Sequence, residues 1–280
     1  MVMNVIFLML AVMICYTITS LSDKYAVAKA GFSGDEFTFL MCSSMSVFLA
    51  FTLPFQELYF TFTWQSFTSV LLIVLCKMLE FQMSALVLKQ LSAFELKAWL
   101  GVTLFVSYIT DVLYGAKLEA LKIVCIATTV LGLIFIAKSG REGKIVYKTI
   151  ALPLILYLAA KFGYGLVIKA FTPYVSSTML LFPALIIISV IMLFKIKPAE
   201  IVKKNKQGAL KVILARIPNA AGMLLENAVI AISLASYSFI QPMILVSLFL
   251  IGIIRKESHS RLNLVGSIIC IIGVVAFQLI

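Results

Sequence analysis

This sequence predicts an all-α membrane protein of about ten transmembrane helices, arranged as two inverted-topology five-helix repeats. Three observations point there. Apolar residues make up 62% of the 280-residue chain and charged residues only 12%. The apolar runs are each long enough to span a bilayer. A weak self-similarity recurs about half a chain apart.

The composition comes first. A soluble domain carries roughly 25% charged residues, and no single globular core could hide the apolar excess seen here, with its mean hydropathy of +1.11. In lipid every backbone N–H and C=O must be satisfied internally, which leaves helices or closed barrels. The runs lack the alternation of a barrel strand and so read as helices. Expected spans are Met3–Leu21, Phe37–Leu53, Phe67–Leu88, Phe94–Tyr114 and Leu121–Ala137 in residues 1–140. In residues 141–280 they are Ile150–Ile168, Val175–Phe194, Val212–Leu234, Phe239–Ile254 and Leu262–Leu279. The first run has no basic leader and no small-residue cleavage site, so it is expected to be retained as a helix.

The net charge of +11 does not point to nucleic acid, because the basic residues sit in the short connections. Seventeen of the 23 lysines and arginines fall in or at the edges of the connections after spans 1, 3, 5, 7 and 9, counting Lys97, and three in or at the edges of the others, counting Lys122. By the positive-inside rule the crowded side is cytoplasmic. The expectation is a multi-pass protein of the cell membrane with both termini on the outer face. The longest connection, 195–208, is expected either to form a short surface helix opening at Pro198 and Glu200, with lysines suited to an anionic leaflet, or to be a solvated basic loop.

The repeat rests on two segments. AVAKAGF (Ala26–Phe32) aligns with LVIKAFT (Leu166–Thr172) at a shift of 140, and Gly132 aligns with Gly273 at a shift of 141. Five spans per half is an odd number, so the second half enters the membrane in the opposite direction. Inverted repeats around a midplane site are a recurring design of secondary transporters.

Polar residues within spans mark candidate sites, since a charge at a helix centre costs about 2.5–3.5 kcal/mol to insert. Span 3 carries Lys77 and Glu80, spaced i, i+3, which suits either a self-neutralising pair or contact with substrate or proton. Span 6 carries Lys161 with Tyr157 and Tyr164 on the same face. No acidic residue lies near Lys161 in sequence, so its partner must come from another helix or from a substrate anion. Span 8 places Arg216, Asn219, Glu226 and Asn227 on one face, a polar stripe suited to a cavity wall or to interhelical hydrogen bonds. Asp23 and Lys24, after Tyr16, Thr17 and Ser20, read as interfacial, Asp111 as an outer-surface carboxylate, and His259 as a solvated loop residue. Pro183, Pro218 and Pro242 mark bends in the second half. The five cysteines lie in apolar runs without a CxxC spacing and read as small buried hydrophobes.

The string QPMILVSLFLIGIIRKESHSRLNLVGSIICIIGVVAF resembles the half-end pattern of the drug/metabolite transporter superfamily, EamA-like branch, with Pro242, Glu257, Gly266 and Gly273 in the characteristic places. SLSDKYAVAKAGFS resembles the end of that family's first helix, near Lys24. The first half departs from the pattern, with Gly101 for a proline, Cys125 for a glycine and a displaced acidic residue, Glu119. The resemblance implies transport of a small organic metabolite, driven by a gradient or by exchange.

Together these features lead to the expectation of a secondary transporter for a zwitterion such as an amino acid, or for an organic anion. The substrate site would lie between the repeats and use Lys161, Arg216, Asn219, Glu226, Asn227, Tyr157, Tyr164, Lys77 and Glu80. The expected partners are the substrate, the bilayer, and a coupling proton or counter-substrate. No cofactor, metal or nucleic acid is expected. The alternative is a membrane-embedded enzyme acting on a lipid-linked substrate. It finds no HExxH, no GxSxG and no P-loop here, and one histidine outside the spans.

Overall fold

The computed structural model describes residues 2–28, 30–91, 96, 99–139, 147–254 and 261–280. They are almost entirely helical. In chain order the α-helices are α1 (Val2–Ala28), α2 (Gly34–Thr52), α3 (Trp64–Val87), α4 (Thr103–Leu113), α5 (Ala120–Ser139), α6 (Tyr147–Phe171), α7 (Ser177–Leu193), α8 (Pro198–Leu214), α9 (Arg216–Ile232), α10 (Leu234–Ile254) and α11 (Arg261–Leu279). Among the described residues, six helical stretches are long and apolar enough to cross a membrane, and four shorter apolar helices accompany them. A helix coincides with each expected span. For Phe94–Tyr114 only the later part is described, as a 3₁₀ turn at Leu100–Val102 followed by α4. Lys29, Lys97, Arg141, Lys144, Arg255, Lys256, Glu257 and His259 lie outside the described residues, as does the side chain of Lys24.

Helix starts follow local chemistry. Ser33 and Glu36 form a reciprocal capping box at α2, while Thr63 and Ser176 accept from the first-turn amides of α3 and α7. Gly31, at φ +71°, turns the chain between α1 and α2, a conformation that a β-carbon would strain. The basic connection resolves in favour of the helix: α8 opens at Pro198 and kinks at Asn205. After one intervening residue, Ala215, α9 begins. Pro218 stands in the first turn of α9, where its missing N–H is not needed, and its ring disfavours unbroken helix back to Leu214. Pro153, Pro183 and Pro242 lie inside α6, α7 and α10.

The chain forms two compact units, and each draws helices from both sequence halves. One comprises Met1–Thr17, Leu91–Ile145 and Ala228–Ile280. Its tightest pairing is α5 on α11, where the backbones approach through glycine. A β-carbon on Gly132 would stand 2.6 Å from the Gly266 carbonyl oxygen, and one on Gly266 would stand 2.7 Å from that of Gly132. Gly273 is crowded by Thr129 and by the Cys125 carbonyl at 2.9 Å. Leu133, Ile136, Leu245, Val246 and Cys270 form the apolar cluster beside this crossing.

Asp111 in the same unit departs from expectation. It is buried, and its carboxylate accepts from the Leu234 and Ala235 amides at 3.1 and 2.8 Å and from the Ser233 hydroxyl at 2.8 Å. The first amides of a helix have no intrahelical acceptor. Asp111 supplies one to α10 from a different helix, which is why it is drawn inward rather than left at the surface.

The other unit comprises Ile18–Gln90 and Val146–Asn227. Here α3 packs against α6, and α2 against α7. The loop after α2 is tied to the α6–α7 turn by the isolated bridge Phe60–Val175 and by the Tyr59 hydroxyl on the Thr172 carbonyl at 2.5 Å. All nine predicted site residues belong to this unit.

Candidate functional site

The candidate site is a chain of charges buried among α3, α6 and α9. Lys77 and Glu80, one turn apart on α3, form an ion pair at 2.8 Å with side chains only 2% and 10% exposed. The second oxygen of Glu80 faces Lys161 of α6 at 3.3 Å. Lys161 also reaches Glu226 of α9 at 3.2 Å. The partner that Lys161 lacks in sequence is therefore supplied by two other helices at once. Two ammoniums and two carboxylates alternate in the order Lys77, Glu80, Lys161, Glu226, and their formal charges cancel. That balance makes the cluster tolerable, because an unpaired charge buried in apolar surroundings costs several kcal/mol.

Aromatic and amide groups complete this level. Lys77 Nζ sits 3.6 Å from the centre of the buried Tyr164 ring, an attraction between a cation and a π face. The Tyr164 hydroxyl donates to Asn227 Oδ1 at 2.6 Å. Asn227 is 3% exposed, and its Nδ2 has no hydrogen-bond partner among the described residues. Tyr157 is buried one turn before Lys161 on the same helix.

A second level lies near the start of α9. Arg216 is fully buried. Its Nε donates to the Val212 carbonyl at 3.2 Å, its Nη2 pairs with Asp23 of α1, and its Nη1 points at the sulfur of Met41 at 2.6 Å. Asn219 Nδ2 likewise points at the sulfur of Met45 at 3.0 Å. Thioether sulfur is a weak acceptor, so these two donors face poor partners. Asn219 and Glu226 are seven residues apart on α9, about 10 Å along its axis.

The structure thus buries all nine predicted residues but divides them. Lys77, Glu80, Lys161, Tyr157, Tyr164, Glu226 and Asn227 share one level, and Arg216 and Asn219 share another. Three participants were missed in the sequence. Asp23 was assigned to the interface; it is instead the counter-ion of Arg216. The signal for it was available, since a buried arginine with no acidic neighbour in sequence requires a distant one. Met41 and Met45 gave no such signal, because methionines in an apolar run read as filler.

No protein-family model matches the chain, and no curated protein is similar enough to match it.

Proposed function

We propose that this chain is a secondary transporter of a small organic metabolite, a zwitterion such as an amino acid or an organic anion. The observation that carries this reading is the buried, charge-balanced Lys77–Glu80–Lys161–Glu226 cluster. It joins α3 of the first sequence half to α6 and α9 of the second. Such a cluster is a costly way to hold helices together, since apolar residues of similar volume do so at least as well. Ionisable groups inside membrane helices commonly mark substrate or ion pathways. On this reading the two halves are inverted five-helix repeats that exchange between two packings and expose the cluster to each side in turn. The drug/metabolite transporter resemblance supports the same class. The charge bias of the connections supports an orientation with both termini outside in the cell membrane.

The test is reconstitution into liposomes with a panel of labelled amino acids and organic acids. Uptake is expected in the wild type and is expected to be lost in Lys161→Gln and Arg216→Ala, each checked for folding by size-exclusion profile. Uptake unchanged in both variants would remove the assignment of the site. Chemical turnover of a substrate without vectorial movement would favour the enzyme reading. A C-terminal reporter active only in the cytoplasm would overturn the orientation.

A further inference from the structure

From the aromatic surface of the loop between α2 and α3, we infer that this loop is an interfacial anchor. It lies in the headgroup boundary of the bilayer, in the leaflet opposite α8, with Phe55, Phe62 and Trp64 seated among the lipids. The placement needs a bilayer but no transport activity, so it stands apart from the transporter reading.

The first step concerns composition. Residues 53–67 read LPFQELYFTFTWQSF, with six aromatic side chains, one acidic residue and no basic one. Connections that run through water carry polar and turn-forming residues instead. Phe55, Phe62 and Trp64 are 87%, 85% and 80% exposed. A contiguous apolar patch of this kind marks a surface that something apolar covers.

The second step concerns order. The loop is built to hold these side chains outward. Phe60 and Val175 form an isolated bridge, the Thr61 amide donates to the Tyr174 carbonyl, and the Ser176 amide donates to the Tyr59 carbonyl, both at 3.0 Å. The Ser66 hydroxyl donates to the Thr61 carbonyl at 2.5 Å, and the Thr178 hydroxyl to the Gln56 side chain. The Phe60 ring packs edge-on against Phe62 and Phe67, with centroids 5.3 and 5.6 Å apart. These backbone groups are paired within the protein, as a segment that leaves bulk water requires.

The third step concerns the occupant. Val47 and Phe51 on α2 and Phe55 just beyond it are four residues apart, and all are exposed. Trp64, Phe67, Leu71 and Leu75 on α3, spaced by three and four, are exposed as well. At this spacing each set is one outward stripe, and both lie on stretches long and apolar enough to cross a membrane. The stripes run without a break into the aromatic side chains of the loop. What covers the helices therefore covers the loop, and that is lipid.

The fourth step concerns depth. At the other end of α2, Glu36 pairs with Lys204 of α8 at 2.9 Å. Residues 195–211 carry six lysines and one acidic residue, which suits an anionic leaflet surface. The 19 residues of α2 span about 28 Å, close to the hydrocarbon thickness of about 30 Å. The basic helix and the aromatic loop thus stand one hydrocarbon layer apart. Tryptophan and tyrosine favour the headgroup level because each joins an apolar ring to a polar hydrogen. From that level Lys77 lies 13 residues beyond Trp64 on α3, and Lys161 lies 11 residues before Thr172, about 20 and 16 Å along their helices. The anchor therefore holds the charge cluster well inside the membrane.

The chain has two tryptophans, Trp64 and Trp99, so Trp99→Phe makes Trp64 the sole reporter. The purified full chain carrying Trp99→Phe is placed in phosphatidylcholine nanodiscs with brominated lipid, the bromine either high on the acyl chain or near its end. Trp64 fluorescence should be quenched about twofold or more by the high label relative to the deep one, and little by iodide in the water. The difference between wild type and Trp64→Phe, which keeps the loop apolar, measures the same signal independently. Phe55→Ser combined with Phe62→Ser alters two exposed side chains and should keep the helical content, while Trp64 emission shifts to the red and iodide quenching rises. Quenching by iodide and by neither lipid label overturns the inference, because the loop then lies in water. So does quenching by none of the three, the result expected if a second copy covers the loop, a case that counting chains per disc identifies. Stronger quenching by the deep label overturns it too, as does an unchanged Trp64 signal in the double variant. Loss of liposome uptake leaves the anchor untouched, and loss of lipid quenching leaves the transporter reading untouched.

Discussion

Where α5 meets α11, the helices touch because side chains are missing. Where α3, α6 and α9 meet, they touch through charge. The glycine crossing brings Gly132 and Gly266 so close that a single β-carbon would have to move backbone. Among the described residues, the atoms crowding Gly132 and Gly266 are backbone, Ile136 and the Cys270 thiol, none of which changes charge on acidification from neutral pH, so its stability should be indifferent to acid. The cluster around Lys161 places four ionisable side chains in contact with almost no solvent. It holds together only while charges balance. The difference teaches that burial is used for two purposes in this chain. One region is made to fit one way. The other is held by opposite charges brought together out of water.

The largest effect should follow removal of the central cation. Lys161→Met leaves Glu80 and Glu226 facing each other, and breaking a buried ion pair from one side typically costs about 3–5 kcal/mol. Thermal unfolding in detergent should show the loss at neutral pH. Acidification should recover part of it, because one proton taken up by the cluster restores its charge balance. A variant as stable as wild type at neutral pH would show that the cluster is not held by charge balance.

Next in size is the glycine crossing. Gly132→Leu should destabilise by about 1–3 kcal/mol, the usual cost of overpacking, or more where backbone must shift. The decisive feature is the absence of any recovery on acidification, measured in the same buffers as Lys161→Met. A pH-dependent loss at Gly132 would remove the distinction between the two regions.

How much of this was legible depended on whether the signal was local. Apolar runs of bilayer length gave the helices, since length and composition are properties of a segment alone. The i, i+3 spacing gave the Lys77–Glu80 pair for the same reason. The partners of Lys161 and Arg216 are set by how helices pack, and no spacing encodes them. Glu80 and Asp23 are respectively 81 and 193 residues away from the cations they hold. Asp111 was misplaced because a carboxylate at the end of a span looks interfacial in one dimension. Its task is to cap a helix that begins more than a hundred residues later. The glycines were seen as a repeat signature, yet their physical role required the partner backbone to be in view.

Asp111 offers the third prediction. Asp111→Ala removes the acceptor of two buried amides and should cost about 1–3 kcal/mol. Asp111→Asn keeps one carbonyl oxygen and should lose less. Hydrogen exchange at Leu234 and Ala235 should rise in Asp111→Ala in proportion to the lost stability. Unchanged protection there would mean that α10 is held by packing rather than by its cap.

The smallest effect tests whether burial, rather than opposite charge as such, gives the Lys161 cluster its weight. Lys204 and Glu36 make an ion pair of 2.9 Å, against 2.8 Å for Lys77 on Glu80, but Lys204 is 44% exposed. Exposed pairs are worth about 0–1 kcal/mol because water and salt compete for both partners. Lys204→Ala should therefore shift the unfolding midpoint little, and the shift should shrink further as salt rises toward 1 M, where the screening length falls to about 3 Å. The Lys161→Met loss should hold at the same salt, since ions do not enter a site closed to water. If the two losses fell together with salt, the cluster would have to be open to solvent, and the charge-balance argument for the cluster would lose its basis.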